Sequence, residues 1–470
     1  MDEVVLERLI AITGRSYAKT TTAQKLAYSY DATANFQALP DLVLSPSSIE
    51  EVQEIVKVCA ANGVPIVSRG SGTNLAAGTA PTSGGVVLLF NRMNQILELD
   101  EENLTISVQP GVITREINEV VESKGFLYPP DPSSMKISTI GGNVAENSGG
   151  LRGLKYGVTR DYVKGLKVVL PSGELLTTGG KLTKDVAGYD LTSLYVGSEG
   201  TLGVIVEITL GLIPAPKTKQ TLLVFYDKLE KAAETVSAII AAKIVPATLE
   251  FMDKGTIETV EDYMKIGLPT DCEAMLLIEQ DGEPAVVTED MKLIHQICQE
   301  KGATSTQMAQ SAEEAEQLST ARRVALSALA RKRPTTILED ATVPRSEIAN
   351  MVRAIQEIAK KYDLLICTFG HAGDGNLHPT ILTDVRDEDE MTRVEMAFAE
   401  IFNHAIQLGG TITGEHGVGE MKAPYLEWKI GTTGIELMKA LKLAVDPLNI
   451  MNPGKIFAKD SKKRVVVHNG

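Results

Sequence analysis

Three of the six histidines lie in two short glycine-rich stretches near the C-terminal end of the chain. The first stretch carries His371 and His378, and the second carries Glu415 and His416. Two histidines and one carboxylate form a common open coordination set for zinc or ferrous iron. The grouping therefore predicts a divalent-metal site made by His371, His378 and Glu415. His416 is left free to accept a proton.

Each of these residues has a plainer interpretation when it is taken alone. A histidine in a glycine-rich loop is more often a turn residue or a hydrogen-bond partner than a metal ligand. Three histidines and a glutamate grouped in two such loops favour the metal site, because a structural role does not require this grouping. The identity of the metal stays open among zinc, iron and manganese, since this ligand set accepts all three.

Length and composition restrict the class of protein that carries this site. A chain of 470 residues is expected to form two or three domains. The net charge of -15 argues against a nucleic-acid partner. No apolar run approaches the length of a membrane span, and the acidic first ten residues do not resemble a secretory signal, so we expect no integral membrane protein. The cysteines are scattered, which is not the spacing of an iron–sulfur site and is typical of a cytoplasmic protein: Cys59, Cys272, Cys298 and Cys367.

The elements before the metal-site residues begin with a helical lead-in over residues 1–40. A strand at 41–44, a helix opened by Ser47–Glu50 and a strand at 65–68 form the next unit. This unit leads into the glycine-rich turn at 69–75. Backbone N–H groups in such a turn can face one anion, although a plain tight turn is the commoner meaning of Gly-x-Gly.

Two further glycine-rich stretches follow in the first half. Residues 139–150 are too rich in glycine and polar residues to predict a strand or a stable helix throughout, and they predict backbone close to a flat, polar ligand. The other stretch, 196–205, runs into a strand that ends near Leu210, and Pro214–Pro216 marks a domain boundary. Between the first two turns we predict strands at 86–90 and 104–108 and a helix at 114–123.

The second half alternates strands and helices, which predicts an α+β cap with an antiparallel sheet. The predicted strands are 222–226, 248–252, 274–279, 336–339 and 364–369. The predicted helices are 228–242, 284–301, 311–331, 346–361, 388–408 and 433–444. The basic tail at 462–464 is expected to be frayed.

In this order, the motifs resemble those of the FAD-linked D-2-hydroxyacid dehydrogenase family, which includes flavin subunits D of glycolate oxidase and flavin-dependent D-lactate dehydrogenases. The resemblance covers roughly residues 40–457. The motifs that carry it lie at 69–74, 140–143, 197–203, 371–378, 414–417 and 452–455.

The resemblance implies an α+β fold with a vanillyl-alcohol-oxidase-type (PCMH) FAD-binding domain. This domain is assigned to residues 41–216, after the helical lead-in at 1–40. A substrate or cap domain with an antiparallel sheet and the metal site is assigned to 217–420. The C-terminal helical segment, 421–470, is expected to pack back on the FAD domain.

The resemblance also implies which residues contact FAD. Some relatives in the wider fold attach the flavin covalently through a histidine near the end of the first glycine-rich turn. Asn74 stands at that place here, so we expect non-covalent FAD. The cofactor-binding residues implied by the resemblance are Arg69, Gly70, Ser71, Gly72, Thr73, Asn74, Pro132, Ser134, Thr139, Gly142, Asn143, Ser148, Gly149, Tyr156, Gly157, Glu199, Gly203, Ile205 and Asn452.

For the reaction, the resemblance implies the same three metal ligands and His416 as the base that removes the hydroxyl proton. Arg322 matches the family arginine that binds the substrate carboxylate, and its neighbour Arg323 is the competing assignment. An arginine suits this role because its planar fork can hold a carboxylate with two hydrogen bonds. Leu338 stands near the place of a lysine found in relatives that act on dicarboxylic acids. This favours oxidation of D-lactate or glycolate, with hydride transfer to flavin N5.

Reduced flavin must pass its electrons on, and the sequence shows neither cluster ligands nor a nicotinamide fingerprint. An iron–sulfur subunit, an electron-transfer flavoprotein, a quinone and oxygen are the candidate acceptors, and we favour an electron-carrying protein. Such a partner could hold a cytoplasmic protein at a membrane surface. Three alternatives remain: another D-2-hydroxy acid such as D-2-hydroxyglutarate, a different flavoenzyme on this fold such as an alcohol oxidase or ether-lipid synthase, and a non-catalytic subunit.

Overall fold

The computed structural model describes residues 1–34 and 36–458, and the basic tail at 462–464 lies outside this range. Among the described residues up to 216, the elements in chain order are α1 (Glu3–Thr13), β1 (Ala18–Lys19), α2 (Thr22–Leu26), β2 (Leu42–Leu44), α3 (Ile49–Asn62), β3 (Ile66–Arg69), β4 (Val86–Leu89), β5 (Ile96–Asp100), β6 (Thr105–Val108), α4 (Thr114–Glu122), β7 (Phe126–Leu127), α5 (Ile140–Glu146), α6 (Gly153–Tyr156), α7 (Thr159–Tyr162), β8 (Val163–Val169), β9 (Leu175–Gly179), α8 (Leu191–Tyr195), β10 (Val204–Gly211) and β11 (Ile213–Pro214).

Two main sheets organise this part of the chain. Strands β2, β4 and β3 run parallel, with β1 antiparallel at the edge, while β5, β6, β10, β8 and β9 form a five-stranded antiparallel sheet. The predicted strand–helix–strand unit is confirmed as β2–α3–β3. Ser48 caps α3 by accepting a hydrogen bond from the Glu51 N–H. Val52, Ile55 and Val56 bury one helix face.

The stretch at 139–150 is not helical throughout, as predicted, but its first half forms the helix α5, which was not predicted. Thr139 caps this helix by accepting from the Gly142 N–H, and Asn147 ends it with φ of 55°. Ile140 and Val144 are fully buried on its inner face. A Cβ at Gly141 would lie 2.6 Å from Pro110, so glycine allows close packing against that neighbour. Packing therefore overrides the low helix propensity of the two glycines.

The elements of the second half, among the described residues, are β12 (Thr218–Tyr226), α9 (Leu229–Ala241), β13 (Thr248–Asp253), α10 (Lys254–Met264), β14 (Ala274–Gly282), α11 (Pro284–Glu300), β15 (Ser305–Met308), α12 (Ala312–Arg323), α13 (Ala325–Leu329), β16 (Thr335–Leu338), β17 (Ala341–Thr342), α14 (Ile348–Tyr362), β18 (Leu365–His371), β19 (Asn376–Thr383), α15 (Glu388–Gln407) and α16 (Leu426–Val445). Strands β15, β17 and β19 and helix α10 were not predicted. The helix predicted at 311–331 is divided into α12 and α13.

The predicted antiparallel cap sheet is confirmed, with strands in the order β15-β12-β14-β13-β18-β19-β16 and β17 paired to β19. Both of its faces are covered. Along β12, Leu222 and Val224 pack with α9, α11, α14 and α15, while Leu223 and Phe225 pack with α10, α12 and α13. This alternation follows from the two-residue period of a strand.

The C-terminal segment returns to the first half, as the resemblance implied. Helix α16 begins earlier than the predicted 433 and is interrupted at Gly431, which has φ of 69°. In the last turn of this helix, Lys442 Nζ donates a hydrogen bond to the Thr201 carbonyl at 2.7 Å. The Asn452 N–H donates to the Ile66 carbonyl at 2.8 Å, so this segment extends the packing around β3. Among the described helices, none has the length and apolar character needed to cross a membrane.

Candidate active site

A cavity of about 770 Å³ lies between the glycine-rich stretches of the first half and the cap sheet. The residues predicted for the substrate and metal that line it are Arg322, His378, Glu415 and His416. The predicted FAD contacts that line it are Arg69, Gly70, Ser71, Gly72, Thr73, Asn74, Pro132, Ser134, Thr139, Gly142, Asn143, Ser148, Glu199, Gly203, Ile205 and Asn452. Of the predicted metal ligands, His371 is not among the described residues of the wall and instead contacts Glu415, so the two predicted sets share one cavity apart from this histidine.

Three predicted FAD contacts, Gly149, Tyr156 and Gly157, are not among the described residues of the cavity wall. The Tyr156 hydroxyl donates instead to both carboxylate oxygens of Asp281 on β14, at 2.9 Å each. Gly149 approaches Glu415, because a Cβ there would lie 2.7 Å from Glu415 Oε2. Tyr156 thus contacts the cap, Gly149 contacts the loop that carries Glu415, and Gly157 lies beside Asp161.

The glycine-rich turn after β3 packs directly on the start of α5. A Cβ at Gly70 would lie 2.0 Å from Thr139 Oγ1, and Gly72 has φ of 69°, so both positions favour glycine. Elsewhere on the cavity wall, Glu146 Oε2 and Asn452 Oδ1 are buried without a hydrogen-bond partner in the described chain. Unpaired buried polar atoms beside a glycine cradle fit a polar ligand that supplies the missing partners.

The N-terminal lead-in also reaches this cavity, which the sequence did not indicate. Asp31 lines the wall and accepts hydrogen bonds from Asn74 Nδ2 at 2.9 Å and the Thr79 N–H at 3.2 Å.

Two buried acids also lie on the wall, and burial raises the pKa of both Glu146 and Glu199. Glu199 accepts from the N–H groups of Val418 and Gly419 and so anchors the loop after His416.

The three predicted metal ligands converge on one point. His371 ends β18 and His378 lies inside β19, so His378 is in a strand and not in a loop as predicted. Their Nε2 atoms lie 3.1 and 3.3 Å from Glu415 Oε1. The ligand atoms of all three residues fall within 4.8 Å of one another. Because β18 and β19 are paired, with Phe369 opposite His378, both imidazoles project from one face of the hairpin.

Interactions among the three predicted ligands shift the pKa of each one. Burial alone would raise the pKa of Glu415, but His371 and His378 hold it well below its ordinary value. Burial lowers the pKa of His378. Burial also opposes the charge of His371, but the Glu250 and Glu415 carboxylates outweigh it and raise the pKa of His371 well above its ordinary value. A divalent ion would replace the proton on His371, as is general for histidine ligands.

His416 is stacked on His378, with ring centroids 5.0 Å apart and an interplanar angle of 13°. Burial lowers the pKa of His416 to about 4. The ring is therefore neutral near pH 7 and can accept a proton. Its Nε2 lies 3.8 Å from Glu415 Oε1, and its Nδ1 lies 3.9 Å from Asp340 Oδ2.

Asp340 is a site residue that sequence reasoning missed. It is fully buried, and its Oδ2 accepts hydrogen bonds from Thr413 Oγ1 and from the backbone N–H groups of the next three residues, 414–416, at 2.8 to 3.0 Å. Its Oδ1 accepts from Asn376 Nδ2. Asp340, His378 and His416 also lie within ligand distance of one another. We favour Glu415 as the ligand because the Asp340 oxygens already accept these protein donors.

The adjacent arginines on α12 have different partners. Arg322 is 2% exposed, lies over the Phe369 ring at 4.7 Å, and forms an ion pair with Glu250 through its Nε at 2.7 Å. This ion pair lacks the alignment of a hydrogen bond, so Arg322 Nε, like Nη2, has no hydrogen-bond partner in the described chain. Arg323 instead donates to Asp131 Oδ2 at 2.7 Å and to the Asp131 carbonyl at 3.2 Å. Arg322 is thus the arginine with an uncommitted donor.

Comparison with known families gives two matches. Residues 40–179 match the FAD binding domain family, and residues 215–456 match the family of FAD linked oxidases, C-terminal domain.

Similar sequences and structures extend this result. The chain is 66% identical over 462 residues to the glycolate oxidase subunit GlcD of Bacillus subtilis, covering 98% of each chain. It is 36% identical to a D-lactate dehydrogenase of Anaerostipes hadrus, covering 92% of this chain and 93% of that one. The fold is similar to that of p-cresol methylhydroxylase, with a TM-score of 0.81 and 18% identity over 97% of this chain and 96% of that one. The expected FAD-binding fold is therefore confirmed.

Proposed function

This chain belongs to the FAD-linked D-2-hydroxyacid dehydrogenase family, and we propose that it oxidises a small D-2-hydroxy monocarboxylate, D-lactate or glycolate, to the 2-oxo acid. The observation that carries the proposal is the meeting of three groups in one cavity. These are the glycine-rich FAD cradle, the metal set, whose His378 and Glu415 line the cavity with His371 beside them, and the uncommitted donor of Arg322.

In the proposed mechanism, His371, His378 and Glu415 would hold a divalent ion, which would supply polarisation of the substrate hydroxyl, and the glycine-rich cradle would hold FAD non-covalently, which would supply the hydride acceptor. Arg322 binds the substrate carboxylate through its free Nη2 and orients the acid across the cavity. His416 accepts the hydroxyl proton at Nε2. Asp340, 3.9 Å from His416 Nδ1, stabilises the imidazolium that forms.

The substrate end of the cavity favours a short acid. Leu326, Leu338 and Phe369 line it with apolar surface. A second carboxylate buried against these side chains would lose its hydration without gaining a partner. The alternative substrate, D-2-hydroxyglutarate, needs a cation at this end, so we expect D-lactate and glycolate to react faster.

The remaining assignments concern electron transfer and domains. We propose that an electron-carrying protein, an iron–sulfur subunit or an electron-transfer flavoprotein, oxidises the reduced flavin of this cytoplasmic chain. The four cysteines are buried and unpaired, which supports an external acceptor.

We also propose the domain bounds. A FAD domain covers 41–216 and a cap covers 217–420, because the cap sheet begins at β12. The C-terminal segment completes the FAD domain.

The test is anaerobic flavin reduction by D-lactate in a His416→Ala variant, with His404→Ala as the matched control on α15. We expect the His416 variant to keep its FAD and to lose about 100- to 10,000-fold in the rate of reduction, the usual contribution of a general base. The His404 variant should match the wild type. Reduction of the His416 variant at the wild-type rate would refute its role as the base.

A further inference from the structure

One buried carboxylate contacts both halves of the candidate substrate site. Glu250 lies on β13 and is 1% exposed. Its Oε1 accepts a hydrogen bond from His371 Nδ1 at 2.7 Å, and its Oε2 lies 2.7 Å from Arg322 Nε. The two oxygens of one side chain thus contact a predicted metal ligand and the predicted carboxylate-binding arginine.

The cap sheet explains this arrangement. Strand β13 pairs with β18 in an antiparallel register that places Phe251 opposite Gly370. The next position along this register brings Glu250 beside His371. On β13, Leu249 and Phe251 pack into the core under α9 and α14, so Glu250 projects to the opposite face, where α12 carries Arg322.

We propose that Glu250 is a positioning residue that couples metal binding to recognition of the substrate carboxylate; this inference rests on the proposed function. By accepting from Nδ1, Glu250 would fix the His371 tautomer whose Nε2 lone pair is available to a divalent ion, in place of the proton that Nε2 shares with Glu415. By pairing with Nε, it holds the guanidinium so that Nη2 stays available to the substrate. Loss of its charge therefore disturbs the contact to His371 and the contact to Arg322 together.

The test replaces this carboxylate with an amide of the same shape. In Glu250→Gln, one oxygen remains, so the side chain cannot accept from His371 and also pair with Arg322. Glu279→Gln is the matched control. Glu279 is a buried glutamate on β14 of the same sheet whose carboxylate accepts from Thr221 and Ser319, outside the cavity wall.

Two quantities are measured in each Zn²⁺-loaded protein. The first is zinc retention against a graded series of chelator concentrations, where we expect about 10- to 100-fold weaker binding in Glu250→Gln, the usual effect of losing a histidine's outer partner. The second is the KM for D-lactate with zinc kept saturating, where we expect an increase of about tenfold or more. FAD content should stay at the wild-type level, and Glu279→Gln should change neither quantity.

Each outcome decides the proposal. Weaker zinc binding with an unchanged KM at saturating zinc would overturn the coupling, and so would wild-type behaviour in both assays. Should the glutamine variant fail to fold, Glu250→Asp keeps the buried charge but is one methylene too short to reach both partners. Its expected losses are the same, and wild-type values in it would overturn the proposal. A wild-type protein that neither retains zinc nor is reduced by D-lactate would instead refute the proposed function itself.

Discussion

Two adjacent buried carboxyl groups provide a sharp test of how the active-site loop is held. Burial raises the pKa of Glu339 to about 7, and Lys422 only partly offsets this. Burial would also raise the pKa of Asp340, but His416, Lys422 and His378 hold it well below its ordinary value. Near pH 7, Asp340 is therefore charged, while Glu339 is about half protonated. Replacing each by its amide should have very different results.

The size of the effect follows from the hydrogen bonds. Asp340 Oδ2 accepts from four donors at 2.8 to 3.0 Å. A hydrogen bond to a charged acceptor contributes about 1 kcal/mol more than one to a neutral acceptor, so Asp340→Asn should destabilise by about 4 kcal/mol. The Glu339 carboxylate has one ion-pair partner among the described residues, Lys422 Nζ at 3.5 Å. We expect Glu339→Gln to cost below about 1 kcal/mol below about pH 4.5, where the carboxyl is protonated and resembles the amide.

The two variants should also respond oppositely to pH. The folded pKa of Glu339 is raised, so its contribution to stability is present below about pH 4.5 and is lost as the pH rises through about 7. Relative to wild type, Glu339→Gln should therefore gain stability on the order of 3 kcal/mol between these pH values. The pKa of Asp340 is depressed, so the cost of Asp340→Asn should stay constant from pH 5 to pH 8.

The assay is urea unfolding followed by the fluorescence of Trp428, the single tryptophan of the chain. Trp428 packs edge-on against Tyr425 at 5.0 Å and so reports on the cap core. Zinc retention in Asp340→Asn should fall as well, because the loop that Asp340 holds carries Glu415. Equal destabilisation of the two variants at pH 7, with equal pH dependence, would refute this reasoning.

Three further predictions concern the cavity wall. In Gly70→Ala, the new Cβ would lie 2.0 Å from Thr139 Oγ1, so FAD content should fall; a fully loaded variant would contradict the proposed cradle. Arg322→Lys should raise the KM for D-lactate about tenfold or more, whereas Arg323→Lys should mainly lower the urea midpoint, because Arg323 binds Asp131. The reverse pattern would transfer carboxylate binding to Arg323. Leu338→Lys should raise kcat/KM for D-2-hydroxyglutarate relative to D-lactate by about tenfold, and an unchanged ratio would separate Leu338 from substrate selection.

The sequence was most informative where chemistry is local. Histidines flanked by glycines predict a set of metal ligands from residue type alone. The ligand atoms of His371, His378 and Glu415 do lie close together in the structure. Their shared surroundings were not predictable, because Glu250 and Asp340 are single carboxylates in strand regions. Only the pairing of β13 with β18 and the approach of the 413–416 loop bring them to the site.

Long-range packing accounts for the other differences. The lead-in gave no sign of a binding role, since Asp31 reaches Asn74 only through the tertiary fold. Helix α5 was missed because its glycines have low helix propensity, yet the buried Ile140 and Val144 stabilise it. Strand β19 was missed because its glycine-rich approach is typical of a loop, while the strand pairs with β18 from Asn376 to Leu382.

The central claim is that FAD in this protein is reduced by a D-2-hydroxy acid through the His/Glu metal set. Its most direct test is the anaerobic flavin absorbance of the purified protein during separate additions of D-lactate, L-lactate and glycolate, with and without chelator. The account predicts bleaching by D-lactate or glycolate, none by L-lactate, loss of bleaching with chelator, and recovery with added Zn²⁺ or Mn²⁺. Undiminished bleaching of protein shown by elemental analysis to be free of metal would contradict it.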